Sequence, residues 1–95
     1  MSSQSFAARV ELVRGLAELN QRELSELAGL SPSLVWAIEN GSRSSPTART
    51  LSSLSAVLGV SLDWLAHGKG VKPTREAVKR AVRRAQRSVS TGTDG

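Results

Sequence analysis

Histidine occurs once in these 95 residues, at position 67, and cysteine does not occur at all. Covalent or metal-assisted catalysis needs a nucleophile with a base in reach, or several converging ligands. His67 with Asp63 as its nearest carboxylate supplies neither. Asp63 stands beside a helix start, where capping or dipole stabilisation accounts for it, and His67 suits the last turn of the same helix. No cofactor and no metal are expected. The side chains that remain with chemistry to do are cations, and they are unevenly placed. Residues 1–68 carry Arg9, Arg14, Arg22, Arg43 and Arg49 against six carboxylates, which is near neutral. Residues 69–87 carry Lys69, Lys72, Arg75, Lys79, Arg80, Arg83, Arg84 and Arg87 against Glu76 alone. A block of that density answers to a polyanionic partner or to a solvated helix face.

Positioning such groups requires a scaffold, and composition narrows it. With 39% apolar and only 3% aromatic residues, the core must consist of Leu, Val, Ala and Ile around Phe6, Trp36 and Trp64, which suits packed helices. Length allows one domain, or a smaller one with an arm. The absence of cysteine removes disulfides and thiolate metal sites, so the cytoplasm is the expected compartment. The start shows no basic segment followed by an apolar one, and no stretch approaches the roughly 20 apolar residues of a membrane span. A soluble, nucleoid-associated protein with no membrane partner is the expectation.

Phe6, Val10, Val13 and Ala17 recur at spacings of four, three and four, which predicts a helix over about 5–17. Asn20 followed by Glu23 is an Asn variant of the capping box and opens a short helix, with Leu24, Leu27 and Ala28 buried, that stops at Gly29. Ser31 as N-cap and Pro32 at the first helical position predict a third helix from Pro32 to about Asn40, with Val35 and Ile38 inward. After the turn formers of 41–46, Thr47 caps a fourth helix carrying Leu51, Leu54, Val57 and Leu58, closed by Gly59. Ser61 caps a fifth with Leu62, Trp64 and Leu65. Gly68 to Pro73 reads as a hinge, Thr74 opens a last helix to about Val89, and residues 90–95 read as a disordered tail. No strand pattern and no internal repeat is present.

The second and third helices are joined by Ala28-Gly29-Leu30-Ser31, a tight turn with a glycine available for positive φ, which is a helix-turn-helix signature. From Phe6 to Gly68 the chain resembles the lambda-repressor-like domain of phage repressors, Cro proteins and Xre regulators. Four blocks carry the resemblance: Leu19-Asn20-Gln21-Arg22-Glu23-Leu24, Ala28-Gly29-Leu30-Ser31, Ile38-Glu39-Asn40-Gly41, and Leu58-Gly59-Val60-Ser61-Leu62-Asp63-Trp64-Leu65. The fold class it implies is all-α: a five-helix lambda-repressor-like helix-turn-helix domain plus an additional basic C-terminal helix. The corresponding division is 1–68 as the DNA-binding domain, 69–89 as hinge and basic helix, and 90–95 as tail.

In such a module one helix lies in the roughly 12 Å major groove while the preceding helix turns its N-terminal amides to a phosphate. With Val35 and Ile38 inward, the outer stripe comprises Ser33, Trp36, Ala37 and Asn40, with Pro32 and Leu34 at its edges. The resemblance implies a DNA contact set of Gln21, Arg22, Ser31, Pro32, Ser33, Leu34, Trp36, Ala37, Asn40 and Arg43. Gln21 matches a phosphate-clamping glutamine whose amide also braces the start of the recognition helix, and Asn40 and Arg43 match phosphate contacts beyond it. Arg14 and Glu39 match a partly buried structural ion pair. The sequence departs from the family where members often carry Gln, Arg or Ser, since Pro32, Leu34, Trp36 and Ala37 occupy those positions. Apolar contact with thymine methyls and shape readout are the routes left to them. Trp36 itself admits three readings: a DNA contact, a partly covered core residue, or a protein-binding hot spot.

Val71, Val78, Val82, Ala85 and Val89 follow spacings of seven, four, three and four along the basic helix. That seam can pair with a second copy or fold back on the domain, and Arg75, Lys79, Arg80, Arg83, Arg84 and Arg87 can form a non-specific DNA arm. The expected function is a dimeric, sequence-specific double-stranded DNA-binding regulator, most simply a repressor at a palindromic operator. The alternative is a protein-interaction module on the same fold, antirepressor or antitoxin-like, with Trp36 and Leu34 as its contact patch.

Overall fold

A computed structural model describes residues 5–42 and 46–93. They form six helices in the order α1 (Phe6–Ala17), α2 (Gln21–Leu27), α3 (Leu34–Glu39), α4 (Ala48–Leu58), α5 (Leu62–His67) and α6 (Arg75–Thr93), with no strand among the described residues. The all-α architecture read from the sequence is therefore the observed one.

Short polar side chains set the helix starts by accepting backbone N–H groups that have no intrahelical partner. Ser5, Thr47, Ser61 and Thr74 accept the amides of Ala8, Thr50, Trp64 and Ala77. Asn20 and Glu23 form the full reciprocal box, with Glu23 N–H donating to Asn20 Oδ1 at 2.7 Å and Asn20 N–H to Glu23 Oε1 at 2.8 Å. Helix ends use the left-handed region: Gly59 and Gly68 close α4 and α5, and Glu18, a non-glycine at φ 60°, closes α1.

One core holds all six helices together. Val10, Val13, Leu24, Val35, Ile38, Leu54, Leu58, Trp64 and Leu65 are buried, and so are Val78 and Val82 of α6. The aromatic residues divide between core and surface. Trp64 is buried and Phe6 packs partly buried against the core, but Trp36 lies outside it, 51% exposed.

The last helix folds back on the domain. It packs on α1 and α4 and touches α2, while Arg75 and Lys79 reach the Glu18 carboxylate at 3.4 and 3.2 Å. These surface pairs link α6 to the residue that closes α1. The docking seam is Val78, Val82 and half-buried Ala85, whereas Val71 is 89% exposed and takes no part in it. The seam breaks there because Gly70 at φ 97° and Pro73 intervene before α6 begins. The helix also passes Val89, continuing through residues assigned to the tail as far as Thr93. Ser and Thr lower helix propensity by only a few tenths of a kcal/mol and Gly92 by about 1 kcal/mol, and no proline stops propagation.

A second buried feature was not read from the sequence. The Arg9 guanidinium is buried and donates from Nε to Leu65 O at 2.8 Å and from Nη2 to Ala66 O at 2.7 Å. It satisfies carbonyls at the end of α5, where a cation also meets the negative end of the helix dipole. Burial pushes its pKa below the ordinary arginine value.

Candidate nucleic-acid interface

Helices α2 and α3 are joined by a turn whose left-handed residue is Gly29, at φ 72°. The Leu30 N–H returns to Ser25 O at 2.8 Å, and Leu34 N–H donates to Ser31 O at 3.0 Å. Ser31, Pro32 and Ser33 thus form a turn, and α3 begins at Leu34 rather than at Pro32. Its Ser33 N-cap makes no side-chain capping bond. The reason lies in the neighbouring helix. The buried Ser25 hydroxyl accepts Val35 N–H at 3.0 Å while donating to Gln21 O at 3.0 Å. A cap supplied from α2 replaces the local one and fixes the two helices together. Sequence reading missed Ser25 because a serine between Leu24 and Glu26 carries no local signal of its partner ten residues on.

A second network locks the other end of α3. Arg14 Nε donates to Glu39 Oε2 at 2.7 Å and Nη2 to Glu39 Oε1 at 2.9 Å, a bidentate pair, while Nη1 donates to Leu19 O at 3.0 Å. The hydrogen bonds that Arg14 donates to Glu39 raise the Arg14 pKa, against the opposing effect of burial. Gln21 joins this network: its Nε2 donates to Glu39 Oε1 at 2.9 Å. The glutamine thus braces the end of α3, not its start. Arg14 and Glu39 are the ion pair the resemblance implied.

The outer face of α3 is open. Ser31, Pro32, Ser33, Trp36 and Asn40 are exposed, and Leu34 and Ala37 are half-buried. Asn40 Oδ1 accepts the Ser42 hydroxyl at 3.1 Å, and exposed Arg22 pairs with Glu26 at 3.1 Å. Arg43 lies outside the described residues. Among the described residues no cluster of three His, Cys, Asp or Glu side chains offers a metal site, and no helix is long and apolar enough to cross a membrane.

Two helices joined by a tight glycine turn, the second held at both ends and turning a stripe of side chains outward, define the helix-turn-helix class. A family described as helix-turn-helix matches residues 10–65, more than half of the chain, and the chain belongs to that Cro/C1-type family. It is also 38% identical over 74 residues, 78% of its length, to the HTH-type transcriptional regulator PrtR of Pseudomonas aeruginosa strain PAO1. The matched region covers 28% of that relative. No solved structure gives a significant match.

Proposed function

We propose that this protein is a dimeric transcriptional repressor that lays α3 in the major groove of a palindromic operator and blocks polymerase there. The observation that carries the proposal is the exposed stripe Ser33, Trp36 and Asn40 on a helix pinned by Ser25 at one end and by Arg14, Glu39 and Gln21 at the other. Such pre-ordering lets base contacts form without the entropy of arranging them. Membership of a family of regulators, and the likeness to one named as such, support the same reading.

In this proposal Gln21, Arg22, Ser31, Pro32, Asn40 and Arg43 sit along the sugar-phosphate rails, while Ser33, Leu34, Trp36 and Ala37 face the bases. The near-neutral body gains backbone affinity from α6, whose Arg80, Arg83 and Arg84 are exposed. Two copies are needed because one module spans only a few base pairs. The valine seam is already used within the subunit, so the exposed Leu62 at the start of α5 is the better dimer contact. The cytoplasm, beside the nucleoid, is where such a regulator works.

Selection of bound duplexes from random DNA tests the proposal. The expected result is a symmetric sequence with half-site centres about one helical turn, roughly 34 Å, apart. A pool with no enriched sequence, or tight capture of a protein through Trp36 and Leu34 without selective DNA binding, would favour the interaction-module reading instead.

A further inference from the structure

We infer that the outer face of α3 reads the 5-methyl group of pyrimidines, and that Trp36 is the residue that covers it. This rests on α3 being the base-contacting helix.

The polar capacity near that face is turned elsewhere. Glu39 is the one charged residue of Leu34–Glu39, and its side chain is only 6% exposed against Arg14. The amide of Gln21 donates into the same carboxylate, and the carboxamide oxygen of Asn40 is taken by Ser42. What remains outward on the helix itself is the indole of Trp36, flanked by half-buried Leu34 and Ala37, with the Ser31 and Ser33 hydroxyls before it and the Asn40 amide nitrogen after it.

Base edges in the major groove are donors and acceptors, with one apolar exception: the C5 methyl of thymine. The carbon face of an indole, whose one donor is the Nε1–H at the ring edge, strips water from a donor or acceptor it is pressed on and returns no hydrogen bond, which is costly. Pressed on a methyl, it removes apolar surface from water on both sides. The face therefore discriminates by the sign of this difference. A cytosine methylated at C5 presents its methyl at the corresponding position, so the same surface should favour 5-methylcytosine over cytosine.

The test titrates the selected duplex by fluorescence anisotropy at low salt, where backbone contacts keep weakened complexes measurable. Each dT under α3 is replaced singly by dU, and 5-methyl-dC is compared with dC at the same positions. One methyl is worth about fourfold in affinity, so both comparisons should show about that loss at one or two positions. Trp36→Ala should bind dT and dU duplexes alike. Equal wild-type affinity for dT and dU at every position, with selective binding intact, overturns this inference alone. A dU penalty that survives in Trp36→Ala assigns the effect to duplex shape and overturns the role of Trp36. Unchanged DNA affinity in Trp36→Ala gives the indole to another surface and overturns it as well. Absence of any selective complex would remove the base-contacting reading beneath it.

Discussion

Gly59 and Ala81 approach so closely that a Cβ placed on residue 59 would stand 2.5 Å from the Ala81 Cβ. The glycine that ends α4 in the left-handed region at φ 67° is also the floor on which α6 rests. Gly59→Ala therefore meets two penalties: about 1–2 kcal/mol for a Cβ in that backbone region and roughly 1–3 kcal/mol for overpacking. Urea denaturation should show a lowered midpoint. Adding Ala81→Gly relieves only the second penalty, and itself costs about 1 kcal/mol within a helix.

Ser25→Ala removes the acceptor for a buried amide. The Val35 N–H then lacks a partner, and stability should fall by about 1–3 kcal/mol. Hydrogen exchange at Val35 should accelerate more than at Val13, which is equally buried in α1 but keeps its own helix bonds. Equal acceleration at both sites would contradict the proposed capping role.

Arg14 and Glu39 should be strongly coupled. Removing one partner strands the other, and for a fully buried pair that costs roughly 3–5 kcal/mol. The Arg14 side chain retains 20% exposure, so about 2–3 kcal/mol is the expected loss for Glu39→Leu. The double variant Arg14→Leu, Glu39→Leu should lose less than the sum of the singles in a denaturation cycle. Additive losses would show that the pair acts separately.

Replacing Arg80, Arg83 and Arg84 by Gln tests the basic arm without touching the seam. Thermal stability should change little, because all three are exposed. If each meets a phosphate, the slope of log affinity against log salt should become shallower by about 2.7. An unaltered slope would leave α6 a structural role only. Deleting α6 is a poor test of the same point, since Val78 and Val82 belong to the core.

Much of the fold was legible because its signals are local. Ser61 caps α5 through its own neighbour three residues on, and Asn20 with Glu23 does so for α2, so no distant part of the chain is needed to find either. The Val35 and Ile38 spacing likewise placed Trp36 outward, where it is found. The errors fell where a distant partner decided. Pro32 at a first helical position was a sound local inference, but the cap for α3 came from Ser25 on the preceding helix. Val71 fitted the valine spacing, yet the turn at Gly70 carried it into solvent.

By itself the sequence determined which segments are helical, which face of each is apolar, and which glycine turn joins α2 to α3. Those properties follow from backbone hydrogen bonding and side-chain period within a few residues. The tertiary structure decided where Gln21 points, why Arg9 is buried, and that α6 closes the core instead of extending from it. Each depends on a partner brought close only by the folded chain, a carboxylate at 39, carbonyls at 65 and 66, an α-carbon at 59.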